Sequence, residues 1–292
     1  MPVNGVLQVV AKHESDVHNP AGGIFSSVAD MSKWVIMQMN NGKYGKNLEK
    51  QIFSEEAHIE MWTPQTIRSA DENMVYKTHF SMYGLGWGIN DEEGYFQVGH
   101  SGTLAGVVTK VTILPELKLG IIVFTNQQTE AAYNAIINTI KDSYFGIKGF
   151  HRVKEQHELV LRNQADAKKV TDEIWVKVGE QQKKGTQCTS PALYTGTYTD
   201  KWFGDITITA VNEKLRFNAV NSPKLRGDML YYTGNTYIVK WDDRTLDADA
   251  FLVFALDTDG KPSSITMKAI SPLTDFSFDF HDLYLTRKET IN

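Results

Sequence analysis

The chain has 292 residues, 41% hydrophobic and 22% charged, with a formal net charge of -5 and a pI near 5.9. That size accommodates about two domains, and the mild acidity excludes the broad cationic field that nucleic acid or an anionic membrane surface would need as a partner. A lone cysteine, Cys188, excludes an internal disulfide, the eight histidines lack zinc-ligand spacing, no apolar run reaches the roughly 18 residues of a membrane span, and MPVNGVLQVVAKHESD has no signal-peptide pattern.

Pro20-Ala21-Gly22-Gly23 predicts a turn, and a helix follows it. Ser27 with Asp30 three residues on makes a capping box, while Val28, Met31, Trp34, Val35, Gln38 and Met39 fall near helical spacing. Asn41-Gly42 ends that helix, as a left-handed C-terminal residue would. A second short helix starts at Ser54 and stops before Pro64. Residues 83–90, YGLGWGIN, read as a strand with glycines for close backbone approach. Its GxGxG departs from the dinucleotide fingerprint and opens no helix, so no nucleotide is expected there.

Strands are predicted at 95–99, 106–114 and 119–125, with Pro115-Glu116-Leu117-Lys118 as a hairpin turn, forming an antiparallel meander. His100-Ser101-Gly102 closes the first of these strands. Thr129 caps a helix from 130 to about 144, whose face of Ala132, Tyr133, Ile136, Ile137 and Ile140 covers that sheet; Gly146 ends it. Residues 151–185 mix acidic and basic side chains on a helical pattern and read as a linker helix with a solvated face. Beyond Pro191 the pattern becomes eight short alternating segments, 196–198, 205–211, 214–219, 228–232, 236–241, 251–256, 264–269 and 276–285, with Gly234-Asn235 and Asp259-Gly260 as turns. The expected partition is 1–148, a helical linker at 149–189, and a small all-β barrel or sandwich at 190–292.

PAGGIFSSVADMSKWVIMQMNNGKYG, YGLGWG and GHSGTLAGVVTKVTILPELKLGIIVFTNQ, in that order, resemble the C-terminal half of the catalytic domain in serine β-lactamase and penicillin-binding-protein-like hydrolases. The likeness covers about residues 15–145 and is nearest to the class C-related branch with its esterases and D-amino-acid peptidases. It implies an α+β fold: a partial β-lactamase/transpeptidase-like domain, an antiparallel sheet with packed helices, followed by a separate all-β barrel. The family's third motif, Lys-Thr-Gly or His-x-Gly, matches His100-Ser101-Gly102. The resemblance assigns His100 to the electrostatics of catalysis, Ser101 and Gly102 to substrate binding, and the Thr103 N–H to the oxyanion hole. An imidazole, with a reference pKa of about 6.5, is a weaker cation than lysine and favours esterase or peptidase chemistry over penicillin hydrolysis.

No serine of this chain has lysine three residues later, and no Tyr-x-Asn or Tyr-x-Ser of the required kind occurs. The family's nucleophile is the serine of Ser-x-x-Lys. In relatives both motifs precede the PAGG segment, so the expectation is a C-terminal part of a longer enzyme, without a nucleophile, inactive alone, and dependent on a missing N-terminal segment or on self-association. Its substrate would be a small acyl compound, with no metal or cofactor, and the likeness implies a periplasmic or secreted parent. Tyr194-Thr195-Gly196-Thr197-Tyr198 and Asp279-Phe280-His281-Asp282-Leu283 resemble the lipocalin-like domain appended to many such hydrolases. Trp202, Phe217, Tyr237, Trp241 and Phe254 are expected inside it as packed core, and His281 on a strand. The competing reading is a non-catalytic binding or assembly module whose barrel holds an apolar ligand or partner.

Overall fold

The computed structural model describes residues 1–3, 6–10, 19–69, 75–184, 191–212 and 214–288; Cys188 lies outside them. Two short strands, β1 (Pro2–Val3) and β2 (Val6–Leu7), come first, and the expected Pro-Ala-Gly-Gly turn is wound into one helical turn, α1 (Asn19–Gly22). The next helix, α2 (Val28–Met39), begins where the capping box places it, with the Ser27 hydroxyl accepting from the Asp30 N–H, and ends at Asn41 and Gly42, both at positive φ. Strands β3 (Lys43–Tyr44) and β4 (Lys50–Gln51) form a small ribbon before α3 (Glu55–Trp62), which Ser54 caps.

Six antiparallel strands follow: β5 (Thr66–Arg68), β6 (Ser81–Tyr83), β7 (Gly88–Glu92), β8 (Tyr95–Leu104), β9 (Val107–Leu114) and β10 (Leu119–Thr125), hydrogen-bonded in sequence order. The expected single strand over YGLGWGIN is instead the β6–β7 hairpin. The Gly84 N–H donates to the Trp87 carbonyl at 2.8 Å, the Leu85 N–H to the Met61 carbonyl at 3.0 Å, and Gly86 takes φ +80°, which a glycine adopts without a Cβ penalty. Period-two alternation then gives the sheet two apolar faces. Val98, Val111 and Ile113 pack with Val35 of α2, and Val108, Leu114, Ile121 and Val123 pack with Tyr133 and Ile137 of α4 (Glu130–Phe145). Each such side chain contributes about 1.5–3 kcal/mol by leaving water. The inward face of α4 is rotated from the expected one: Ile136 is 45% exposed, and Lys141 and Asp142 are buried instead.

Those two charges are compensated. Lys141 pairs with Glu92, and Asp142 accepts the Arg152 fork at 2.7 and 2.8 Å and the Tyr76 hydroxyl at 2.8 Å. Burial works to raise the Asp142 pKa, but the hydrogen bonds from Arg152 and Tyr76 outweigh it and hold the carboxyl below its ordinary value.

The chain divides into two compact units whose main bodies are Leu7–Leu159 and Val160–Asn292, and the 33-residue helix α5 (Arg152–Lys184) crosses from one to the other. In the second unit α5 is not solvated all round, since Ile174 and Val178 are buried against Ile238 and Ile270. The rest of that unit is a closed antiparallel barrel of β11 (Gly196–Asp200), β12 (Gly204–Val211), β13 (Lys214–Ala219), β14 (Arg226–Thr233), β15 (Thr236–Trp241), β16 (Ala250–Leu256), β17 (Pro262–Ala269) and β18 (Tyr284–Arg287). Closure leaves no free sheet edge. Tyr198, Phe217, Tyr237, Trp241 and Phe254 fill the interior, whereas Trp202 is 66% exposed, because it sits in the turn after β11 and not on an inward strand position. The expected last strand starts eight residues late: Phe276–Phe278 and Phe280–Asp282 are 3-10 turns, begun by the Asp275 carboxylate capping the Ser277 N–H, and they carry His281 off the sheet.

Candidate functional site

The longest strand of the sheet, β8, outruns one neighbour. Its pairing with β7 ends at Gly88 opposite Gly99, while its pairing with β9 continues to Leu104 opposite Val107. His100, Ser101, Gly102 and Thr103 are therefore exposed, in the second half of a strand that His100-Ser101-Gly102 was expected to close. The strand runs on because its hairpin to β9 comes later, at Gly106, which takes φ +82° and donates its N–H to the Gln128 side chain at 3.1 Å.

In antiparallel pairing, successive residues turn their N–H and C=O groups alternately to the two sides. Two close approaches fix the phase. The Gly99 carbonyl faces β7, 3.3 Å from where a Gly88 Cβ would lie, and the Gly102 carbonyl faces β9, 3.5 Å from the Thr109 hydroxyl. Ser101 and Thr103 share the phase of Gly99. Their backbone donors and acceptors thus point out of the edge that β7 has vacated. A Cβ at Gly102 would lie 2.8 Å from Thr109 Oγ1, so a larger residue there would have to turn that hydroxyl aside.

The side chains alternate the other way. His100 stands opposite Val111 on the α2 face, and Ser101 opposite Lys110 on the α4 face, so the structure does not bring the His100 and Ser101 side chains together. His100 has a different companion. Its Nε2 is 2.9 Å from the Tyr83 hydroxyl. Tyr83 pairs with Gly88, which puts it on the α4 face, so the two rings start from opposite faces and meet at the vacated edge. On that face Gly88 and Gly99 present no side chain to obstruct the tyrosine. The Arg68 guanidinium lies 5.9 Å from the Tyr83 ring.

Behind Ser101, Tyr133 is almost fully buried, with its hydroxyl against both Ser101 and Glu130. Burial first, and then the Glu130 charge, push the Tyr133 pKa up, so the phenol stays neutral. The Lys110 ammonium stands 5.4 Å over that ring, and its pKa is lowered, mainly by burial. Sequence reasoning missed Tyr83, Arg68, Lys110 and Tyr133 as a group. One signal was present: Lys110 is the lone cation in the otherwise uncharged VVTKVTIL strand. In the second unit Asp279, His281 and Asp282 bring one ligand atom each within 4.8 Å, on a partly exposed surface turn of a kind that is common without an ion.

Parts of the chain are similar in sequence to known proteins. Residues 2–143 match the family described as Beta-lactamase, and residues 180–287 match the family described as Domain of unknown function (DUF3471). Beta-lactamase-like protein 1 of Dictyostelium discoideum is 26% identical over 129 residues, which is 40% of this chain and 20% of that protein. Among solved structures, the octameric penicillin-binding protein homologue from Pyrococcus abyssi is 14% identical with a TM-score of 0.35, over 90% of this chain and 47% of that one. SurE is 11% identical with a TM-score of 0.28, over 83% of this chain and 43% of that one. The chain thus spans about a fifth of the curated relative and less than half of either solved structure.

Proposed function

We infer that this chain, which joins a β-lactamase/penicillin-binding-protein-like fold to a C-terminal barrel, supplies the acyl-binding wall of a serine hydrolase acting through an acyl-enzyme on small esters, amides or D-amino-acid peptides. The observation that carries the reading is the vacated edge of β8, where the Thr103 N–H points outward beside Gly102. A backbone donor fixed in a sheet needs no reorganisation when charge develops on a substrate carbonyl oxygen, and donors of this kind are each worth about 2.7–4 kcal/mol in the transition state. His100, oriented by Tyr83, supplies a polar group at the same edge. Ser101 meets the substrate through its outward N–H and C=O, its side chain being turned to α4.

The attacking hydroxyl is the part that no Ser-x-x-Lys in these 292 residues provides. The chain alone is therefore expected to give no turnover of nitrocefin or of p-nitrophenyl acetate above buffer. Steady turnover by this chain that survives His100→Ala would overturn the assignment.

The same reading expects the N-terminal unit to associate with its own copies or with a segment that bears the nucleophile. Ile24 is 89% exposed and Ile67 88%, with Ile36 and Ile59 also more than half exposed. Sedimentation velocity at tens of micromolar checks this, with a concentration-dependent rise in mass as the expected result; a monomer at every concentration that binds no apolar dye goes against it. The alternative of an apolar-ligand barrel is not favoured, because its interior is occupied by the aromatic and aliphatic core.

A further inference from the structure

In the second unit, α5 and the connection from β15 to β16 frame a cavity of about 170 Å³ against the outside of the barrel, far above the roughly 10–15 Å³ that admits a single water. Ala167, Thr171 and Trp175 lie four residues apart on α5 and so share the helix face that lines it, and Ala167 brings only a methyl group there. The barrel side is a 3-10 turn, Arg244–Leu246. The Asp243 carboxylate starts it by accepting from the Thr245 N–H at 3.0 Å, and Asp247 stops it at φ +47°, which aspartate adopts more readily than most residues. Arg244 donates from Nη1 to Asp249 at 2.6 Å and to the Trp241 carbonyl at 3.1 Å, and from Nη2 to Asp249 at 2.8 Å. Among the described residues, its Nε–H and second Nη2–H have no partner, and these two donors lie parallel on one edge of the guanidinium. The charges around the cavity balance. Arg244 pairs with Asp249 and Lys168 with Asp172, which leaves two unpaired charges of opposite sign among the described residues: Asp247, and Lys240 at 5.5 Å from the Trp175 ring centroid.

We propose that this cavity binds a single neutral sugar ring. A sugar presents adjacent hydroxyls, each both donor and acceptor, on a ring whose C–H face is apolar. The cavity lining offers the complement. The free N–H pair of Arg244 suits two neighbouring hydroxyl oxygens, and the unpaired Asp247 carboxylate accepts their protons. The Ser271 hydroxyl, whose oxygen already accepts from the Leu273 N–H at 3.1 Å, has its own proton to donate. Trp175 and Ile270 supply the apolar surface. An anion fits less well, because Asp249 already neutralises Arg244 and Asp247 would repel it. A purely apolar ligand would strip water from the Arg244 donors and from Asp247 without replacing it. The site belongs to the unit that does not carry β8, so it stands apart from the acyl-edge reading.

The test labels the tryptophans of the full 292-residue chain with nitrogen-15 and follows the six indole N–H signals by NMR. Trp175→Leu, which keeps an apolar residue on that helix face, identifies the Trp175 signal. The methyl β-glycosides of glucose, galactose and N-acetylglucosamine are titrated in, with tetrahydropyran-2-methanol and methyl β-glucuronide as controls. At least one glycoside is expected to shift Trp175 saturably with a Kd of about 1 mM, the order usual for a ligand of a dozen or so heavy atoms. The ring stripped of its hydroxyls should bind at least about tenfold more weakly. The anionic glucuronide should bind no more tightly than the glucoside, and added salt should leave the glycoside affinity unchanged. Asp247→Asn, which tolerates the same positive φ, should weaken binding about fivefold or more. Thr171→Leu fills the cavity from a helix position where leucine is the better helix former, and should abolish binding. Four results overturn the site: no glycoside moves Trp175, the stripped ring binds as well as the glycosides, the glucuronide binds more tightly than all of them, or binding persists undiminished in both variants. None of these depends on turnover, so the sugar site and the acyl edge can each fail alone.

Discussion

Replacing Asp142 with asparagine is expected to destabilise the N-terminal unit by about 3–5 kcal/mol, the cost of leaving a buried cation without its counter-charge. Arg152 is 6% exposed, and its Nε and Nη2 both end on Asp142. Glu155, bonded to Nη1 at 2.8 Å but partly solvated, recovers only part of that loss. Denaturant unfolding followed by tryptophan fluorescence reads the change. The double variant Asp142→Asn, Arg152→Met should regain much of it, since removing both charges is far milder than removing one. A single-variant loss below about 1 kcal/mol would mean that water reaches the pair and the burial is only apparent. The pH dependence has a definite sign. Because Asp142 is held below its ordinary value in the folded state, its contribution is fully present above the unfolded-chain value of about 3.9 and is lost as pH falls from there through the lowered native value. Wild type should therefore lose stability more steeply than the asparagine variant on acidification below about pH 4.

What was legible in the sequence was whatever a local rule decides. The Ser27, Ser54 and Thr129 caps and the Gly146 stop each settle one backbone hydrogen bond, and all four are found where the residues place them. Barrel strands were legible for the same reason, through alternation and turn dipeptides, except where Asp275 traded a strand for two tight turns. The length of β8 was not legible. Gly99 and Gly102 look like a strand end, yet both are there because the neighbouring strand comes close: a Cβ at Gly99 would lie 2.7 Å from the Val111 carbonyl oxygen. Period alone also cannot say that a Lys or an Asp on a helix is inward. The burial of Lys141 and Asp142 depends on Glu92 and Arg152, 49 and 10 residues away, arriving to neutralise them. The candidate site divides along the same line. His100, Ser101, Gly102 and Thr103 form a contiguous motif, whereas Tyr83, Arg68, Lys110 and Tyr133 converge on it from four other elements.

Trp241→Ala is the second large effect, expected at about 3–5 kcal/mol in the barrel. Its ring is 1% exposed, packs edge-on to Phe217 at 5.5 Å and lies stacked with Phe280 at 6.1 Å, so truncation opens a cavity in the middle of a closed core. A closed barrel relaxes poorly around such a loss, because each strand is bonded on both sides and cannot move inward alone. The indole N–H also donates to the Ala248 carbonyl at 2.6 Å, and a buried acceptor left without its donor adds to the cost. Trp241→Phe separates the two contributions. It keeps most of the packed surface and forfeits the hydrogen bond, and should cost about 1–3 kcal/mol. Near-UV circular dichroism during denaturant unfolding follows both variants. If alanine and phenylalanine prove equally costly, the hydrogen bond and not the packing holds this corner of the barrel; if both are near neutral, the interior has room, and the barrel regains its claim as a ligand cavity.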